Sequence, residues 1–296
     1  MKSVIFTPVV TILTNEGKID LEGNHKVMEH LIAGGVDGIV PLGSTGEFTW
    51  FSKEEKIKFL DNYIRAVDGR VDIIAGTGDL QYENVVEVSN HVLAQGIRGV
   101  MIMSEFYFNM SQDNLYTYFA YMAEHINGKI YIYNFPARSG SSISGETLAK
   151  LAVKYPNIAG IKDSVTDFEH TKELLDKVLP VRPDFEVFSG FDDHFLLNKE
   201  NGGVGGICAL SNFAPELWSY VVKTINEPDP DIAKREFNRI VSMMPIYGME
   251  SNSHRLIKGL LKYRGLDINT FSHFPFNTLK PDSLEKAIEL YEKVRI

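Results

Sequence analysis

The sequence predicts a (β/α)8 TIM barrel with a C-terminal helical appendage, and three observations lead to this fold class. Short apolar runs recur eight times along the chain. Most are continuously apolar, which is typical of parallel strands buried on both faces. Helical patterns separate them, although a doubly wound open sheet would give a similar alternation. The runs are Ser3–Thr7, Gly38–Leu42, Asp72–Gly76, Gly99–Met103, Ile130–Tyr133, Ala159–Lys162, Glu186–Ser189 and Val204–Ile207.

Helix signals lie between the strand runs. Ser52 and Glu55 form a capping box ahead of apolar residues at helical spacing, and Gly69 is expected to end that helix. Three further polar residues precede apolar stripes and are predicted N-caps: Ser111, Ser144 and Asp167.

The C-terminal part of the chain shows helical patterns without strand runs. These patterns cover Ile232–Met244, Ser253–Tyr263 and Ser283–Val294. We therefore predict a catalytic barrel over residues 1–226 and a helical segment over residues 227–296. Because no low-complexity linker separates them, we expect the segment to pack directly on the barrel.

The composition limits the class of protein. Hydrophobic residues make up 44% and charged residues 23% of the chain, as in globular proteins, and the formal charge is −9. This charge argues against sequence-independent binding to nucleic acid. No apolar run approaches the length of a membrane span. The single Cys208 cannot form an internal disulfide, so we expect a reducing compartment and a cytoplasmic protein.

Polar residues at the ends of the strand runs are the candidates for chemistry, because the active sites of such barrels lie there. Gly43-Ser44-Thr45-Gly46-Glu47 follows the second run, and its amides and hydroxyls could bind an anion such as a carboxylate. The alternative is a solvated turn that uses glycine for its backbone angles. Tyr133 ends the fifth run, and Arg138 follows it in the loop. A held tyrosine can carry a proton, and arginine binds carboxylates.

Lys162 ends the sixth apolar run, where a lysine is unusual. Apolar surroundings favour the neutral amine, which is the form that attacks a carbonyl carbon. The alternative is a lysine that reaches the barrel mouth and pairs with Asp163. Pattern alone leaves both interpretations open.

Three motifs, GSTGE, YNFPARSG and GIKDS, occur in an order and spacing that resemble the dihydrodipicolinate synthase and N-acetylneuraminate lyase family. The resemblance implies a class I aldolase in which Lys162 forms a Schiff base with pyruvate or another 2-oxo acid. It implies that Tyr133 shuttles protons and that Ser44 and Thr45 bind the pyruvate carboxylate.

Further expectations follow from the same resemblance. Tyr107, after the fourth strand, would complete the proton relay together with Ser44, often across a subunit interface. A backbone carbonyl of the eighth strand, at Ile207, would lie near the pyruvate part. The chemistry needs no metal and no cofactor, and the family habit predicts a homotetramer built from two dimers.

The residues that would contact the far end of the substrate favour different branches of the family. Arg138 favours the synthase branch, which condenses pyruvate with aspartate semialdehyde, although sialic acid lyases share it. Ser164 and the Gly190-Phe191-Asp192-Asp193 string resemble aldolases acting on polyhydroxylated substrates, since a hydroxyl and two carboxylates suit sugar hydroxyls. The acidic pair could instead cap a helix.

We therefore expect reversible cleavage of a 2-keto-3-deoxy sugar acid into pyruvate and an aldehyde. Dihydrodipicolinate synthase, N-acetylneuraminate lyase and dehydratases of the same fold are the alternatives within the family. A barrel that binds a 2-oxo acid without turnover is the alternative from another class. The intact lysine, tyrosine and GSTGE motif argue against it.

Overall fold

The structure is a computed structural model, and it describes residues 3–226 and 230–295. Within these ranges eight strands form a closed barrel in chain order. Neighbouring strands pair in parallel, as in the registers of β1 with β2 and of β3 through β8. This confirms the predicted barrel and excludes the open sheet. The strands are β1 Val4–Pro8, β2 Gly38–Val40, β3 Asp72–Gly76, β4 Gly99–Met103, β5 Ile130–Asn134, β6 Ile158–Asp163, β7 Glu186–Ser189 and β8 Gly205–Ile207.

Helices follow the strands as the alternation predicts. The described helices are α1 Leu21–Ala33, α2 Lys53–Val67, α3 Tyr82–Leu93, α4 Gln112–His125, α5 Pro136–Ser139, α6 Gly145–Lys154, α7 Phe168–Val178, α8 Phe195–Glu200, α9 Pro215–Ile225, α10 Pro230–Val241, α11 Ile246–Met249, α12 His254–Tyr263 and α13 Ser283–Glu292. Short 3-10 helices cover Ser44–Gly46, Phe48–Trp50, Asp192–His194 and Ala209–Asn212. In the part of the chain that the structure describes, no helix is long and apolar enough to cross a membrane.

The predicted helix starts are confirmed by their hydrogen bonds. Ser52 accepts from the Glu55 amide, and the Glu55 carboxylate accepts from the Ser52 amide, which completes the capping box. The other predicted N-caps also accept from the first turn of their helices: Ser111, Ser144 and Asp167. The end of α2 differs slightly, because Asp68 already has a left-handed backbone with φ of 48°, one residue before Gly69.

The chain divides into two compact units, of which one comprises Ile73–Ile207. Tyr131 on β5 fills the interior of this unit, and Gly99 and Gly160 leave the space for its ring. A Cβ atom on either glycine would lie within 2.8 Å of a Tyr131 ring carbon. Arg98 binds the Glu186 carboxylate at 2.7 Å, and the Tyr131 hydroxyl donates to the same carboxylate at 3.0 Å. This polar network therefore joins β5, the start of β7 and the residue that precedes β4.

The second unit comprises Ser3–Asp72 and the chain from Cys208 onward. Asn212 ties the segment after β8 to β1, since its amide donates to the Pro8 carbonyl at 3.0 Å. Arg264, just beyond α12, binds the Phe213 carbonyl at 2.7 Å and the Glu216 carboxylate at 2.8 Å. The contact between the C-terminal helices and the segment after β8 is thus direct.

The predicted C-terminal helices are present as α10, α12 and α13, whereas the short α11 was not predicted. The predicted boundary between residues 1–226 and 227–296 falls at residues 227–229, which lie outside the described residues. That division stays a prediction.

Candidate functional site

Lys162 lies on β6 and is buried, with 4% of its surface exposed. The strand register places it beside Tyr133 on β5 and Phe188 on β7. Its Nζ atom lies 4.3 Å from the centroid of the Tyr133 ring. The lysine and tyrosine that the sequence singled out are therefore direct neighbours.

The alternative in which Lys162 pairs with Asp163 is wrong. Successive residues of a strand point to opposite faces, and the Asp163 carboxylate has other partners. It accepts from Asn134 Nδ2 at 2.7 Å and from Thr171 Oγ1 at 2.7 Å, and it lies 3.0 Å from His170 Nδ1. Within residues 3–226 and 230–295, no acidic side chain forms an ion pair with Lys162.

Asn134 links the ends of β5 and β6 through more than its contact with Asp163. Its carbonyl accepts from the Ser164 amide at 2.8 Å, and its side-chain oxygen accepts from the Ile143 amide at 3.1 Å. The hydrogen bond to Asp163 raises the pKa of His170 above its usual value. Sequence reasoning missed this network, although Asn134 belongs to the YNFP motif.

Ser164 is buried and packs against Gly190, the residue that follows β7. A Cβ atom on residue 190 would overlap the Ser164 hydroxyl and lie 2.8 Å from Ser164 Cβ. The Gly190 amide donates to the Asp163 carbonyl at 2.7 Å. The glycine is thus needed because two backbones and the serine side chain approach closely. The structure brings these two predicted residues together.

The acidic pair after β7 forms the first turn of a 3-10 helix whose N-cap is Phe191. Asp192 is fully buried. Asp193 is half-buried, and its Oδ1 atom accepts no hydrogen bond from the described residues. Neither carboxylate is the N-cap, so that part of the alternative is wrong, whereas its expectation of an acidic residue in the first turn is confirmed. A role in substrate binding stays a prediction.

Aromatic side chains lie between the acidic turn and Arg138. Phe191 meets Phe135 edge-on, with ring centroids 6.4 Å apart. Arg138 is exposed in α5, and its guanidinium carbon lies 5.9 Å from the Phe135 centroid. Phe135 also lies beside Tyr133, with centroids 5.8 Å apart. Sequence reasoning did not assign a role to Phe135.

Tyr107 is 80% exposed, and among the described residues it makes no contact with Lys162. Its ring packs edge-on against Phe108, and the Glu105 carboxylate accepts from the amides of both residues. The carboxylate therefore orders this loop. Ile207 lies at the end of β8 and is fully buried.

Ser44 and Thr45 follow β2 in the second unit, where they begin a 3-10 turn and are half-buried. Two non-glycine residues with left-handed backbones flank this turn, Leu42 at φ of 56° and Glu47 at φ of 59°. The Gly46 carbonyl accepts from the Thr11 hydroxyl at 2.7 Å. The simple solvated turn is therefore wrong, since this loop is anchored and largely buried.

Glu47 ends the loop in a buried ion pair that the sequence reasoning missed. Its Oε1 atom lies 2.5 Å from Nζ of Lys258 on α12, and its Oε2 atom lies 3.5 Å from His254 Nε2. Lys258 is fully buried, and this burial lowers its pKa. A lysine among the apolar residues of α12 was the available signal.

The chain is similar to proteins of known sequence and structure. A model of the dihydrodipicolinate synthetase family matches residues 1–293. The "Probable 2-dehydro-3-deoxy-D-pentonate aldolase YjhH" of Escherichia coli (strain K12) is 31% identical over 294 residues, 99% of this chain and 95% of that protein. A 4-hydroxy-tetrahydrodipicolinate synthase of Methanococcus maripaludis (strain C6) is 31% identical over 245 residues, 83% of each chain. The structure is also similar to that of YagE from E. coli K12 in complex with pyruvate, with a TM-score of 0.95, 29% identity, and coverage of 99% of this chain and 98% of the other.

Proposed function

Since the chain belongs to the dihydrodipicolinate synthetase family of lyases, we propose that Lys162 forms a Schiff base with a 2-oxo acid and that the protein is a class I aldolase. The observation that carries the proposal is the burial of Lys162 over the Tyr133 ring without an acidic partner among the described residues. A lysine in such surroundings is available for chemistry, because it holds no counter-ion in place.

The reaction begins when the neutral amine of Lys162 attacks the keto carbon of the substrate. The Tyr133 hydroxyl gives its proton to the oxygen that leaves as water, so a protonated imine and a Tyr133 phenolate result. The imine withdraws the electron pair of the bond between C3 and C4 of the substrate, so that bond breaks and an enamine forms. The proton of the C4 hydroxyl passes to the Tyr133 phenolic oxygen as the aldehyde leaves. Protonation of the enamine and hydrolysis of the imine release pyruvate and restore the amine.

The substrate carboxylate is assigned to the hydroxyls and amides of Ser44 and Thr45. The active sites of (β/α)8 barrels are built from the loops that follow the strands, which supports a binding role for the loop after β2. The backbone carbonyl of Ile207 contributes at the pyruvate end, and Ser44 and Tyr107 extend the proton relay from Tyr133.

The substrate proposed is a 2-keto-3-deoxy sugar acid. Ser164 supplies a buried hydroxyl next to Gly190, and Asp193 has an oxygen that accepts no hydrogen bond from the described residues. Asp192 and Asp193 would accept hydrogen bonds from sugar hydroxyls. The aldolase name of the E. coli relative supports this choice. The second candidate is the synthase that condenses pyruvate with aspartate semialdehyde, which the exposed Arg138 favours because a guanidinium would bind a second carboxylate.

Borohydride reduction in the presence of pyruvate tests the Schiff base. The intact protein should gain the mass of a reduced pyruvate adduct on Lys162, and Lys162→Ala should gain none. Lys262→Ala, an exposed lysine on α12, is the matched control and should react as the unchanged protein does. An adduct that persists in Lys162→Ala would contradict the proposal.

Steady-state assays separate the two candidate substrates. The protein is offered 2-keto-3-deoxy sugar acids in the cleavage direction and, separately, pyruvate with aspartate semialdehyde. Turnover of the sugar acids supports the aldolase. Robust product only from pyruvate with aspartate semialdehyde would contradict the aldolase and support the synthase.

We also propose that the protein is a cytoplasmic homotetramer built from two dimers. The exposed Tyr107 and Phe108 rings support an interface at this loop, and the buried Cys208 fits a reducing compartment. Sedimentation or light scattering would give the mass of the assembly, and a monomer at working concentration would contradict the tetramer.

A further inference from the structure

Lys258 on α12 is fully buried. Along the chain it lies far from the residues that are assigned to the reaction. Its ammonium group has three donors and finds three acceptors. These are Glu47 Oε1 at 2.5 Å, the Phe271 carbonyl at 2.8 Å and Ser272 Oγ at 3.3 Å. The lysine is therefore held in place by the segment after α12, and its charge is directed at Glu47.

The backbone of Glu47 shows why the pairing matters. Its φ of 59° and ψ of 33° place it in the left-handed region, which glutamate rarely adopts and glycine adopts freely. A position that served only to turn the chain would be filled most easily by glycine. Because a glutamate occupies this strained conformation, we attribute the role of the position to its side chain.

The strained residue closes the turn that carries Ser44 and Thr45. The Glu47 amide donates to the Ser44 carbonyl at 3.2 Å, and the Gly46 amide donates to the Gly43 carbonyl at 3.0 Å. Thr11 anchors the same turn through the Gly46 carbonyl. The C-terminal end of the turn that carries the Ser44 and Thr45 amides is thus held by both Thr11 and Glu47.

We propose that Lys258 and Glu47 are positioning residues for the carboxylate of the substrate, so that the C-terminal helix α12 sets the affinity of the loop after β2 for 2-oxo acids. The proposal rests on the proposed function, in which this loop binds the carboxylate. Neither side chain touches the substrate. Their effect is exerted through the backbone of the turn.

Titration of borohydride trapping against pyruvate concentration tests the proposal. In Lys258→Met the pyruvate concentration for half-maximal trapping should rise at least about tenfold, because the turn loses its anchor. The maximal extent of trapping on Lys162 should be unchanged. Lys262→Met on the same helix is the matched control and should keep the original half-saturation.

A double variant separates positioning from general loss of stability. Glu47→Gln with Lys258→Met removes both charges and so leaves no buried carboxylate without a cation. Its thermal unfolding should recover toward that of the unchanged protein, whereas its half-saturation for pyruvate should stay raised. Recovery of both quantities would overturn the proposal.

The outcomes also distinguish failure of this proposal from failure of the proposed function. If the unchanged protein gives no adduct at any pyruvate concentration, the Schiff-base function fails. If it gives the adduct and Lys258→Met gives it with unchanged half-saturation, only the positioning role fails.

Discussion

Lys162 and Lys258 are both buried lysines, and they differ in what surrounds their ammonium groups. Lys258 has a carboxylate, a carbonyl and a hydroxyl around its Nζ atom. Lys162 faces the ring of Tyr133 and, among the described residues, pairs with no acid. The comparison teaches that burial alone does not mark a reactive lysine. The absence of a counter-ion, together with an aromatic neighbour that can carry a proton, distinguishes the residue proposed for chemistry from the one proposed for positioning.

The largest expected effect concerns the proton carrier beside Lys162. Tyr133→Phe should lower kcat by about 10²- to 10⁴-fold, because the phenolic oxygen that moves the proton is removed. The borohydride adduct should still form, since the amine of Lys162 remains. Steady-state kinetics with a cleavable 2-keto-3-deoxy sugar acid give kcat, and mass spectrometry of the reduced protein shows whether the adduct forms. An unchanged kcat would remove Tyr133 from the mechanism.

Lys258→Met and Lys162→Met should change the free energy of unfolding by different amounts. Lys258→Met leaves Glu47 buried without its cation and should lower the free energy of unfolding by about 3 to 5 kcal/mol. Lys162→Met replaces an unpaired buried amine by an apolar side chain, so the free energy of unfolding should stay the same or increase. Urea unfolding of both proteins checks the comparison. Equal losses in the two variants would show that the environments are energetically alike.

His170 provides a smaller effect that depends on pH. Asp163 raises the pKa of His170 in the folded protein. Its contribution to stability is therefore fully present below the unfolded pKa of about 6.5 and is lost as pH rises through the raised folded value. His170→Asn should lower the free energy of unfolding by about 1 kcal/mol near pH 6 and by less near pH 9. Urea unfolding at both pH values tests this, and a loss that grows with pH would contradict it.

An effect of similar size concerns the choice of substrate. Ser164→Ala removes a hydroxyl but keeps the packing against Gly190. It should lower kcat/KM for a 2-keto-3-deoxy sugar acid by about tenfold, since a hydrogen bond to the substrate is lost. Half-saturation of pyruvate trapping should not change. An equal loss for both ligands would show that Ser164 acts on the pyruvate end and not on the sugar.

The fold could be predicted from the sequence because its signals lie between residues that are close along the chain. Each of the eight apolar runs overlaps a strand, with bounds that differ by up to two residues, and the capping box at Ser52 and the N-cap at Ser144 act between residues three positions apart. Lys162 and Tyr133 could be found for a related reason, because each ends an apolar run of the sequence where polar residues are rare. Parallel neighbouring strands then bring them side by side.

The contacts that the sequence did not reveal join distant parts of the chain. Glu47 and Lys258 are separated by 211 positions, and no periodicity relates them. Asn134 and Asp163 lie on neighbouring strands, but each has a polar side chain with many possible partners. The exposure of Tyr107 was equally hidden, because it depends on the surface around the loop and not on the pattern within it.

The close packing of Gly190 on Ser164 restricts how this protein can be redesigned. Residue 190 is already the smallest side chain, so it cannot shrink to accommodate a bulkier group at position 164. Libraries that vary position 164 alone will return small residues, whatever substrate is selected. A designer who seeks a new aldehyde partner should instead vary Phe135, Arg138 and Phe191. Their contacts are between large side chains, which can be replaced by smaller ones, whereas Gly190 cannot be made smaller.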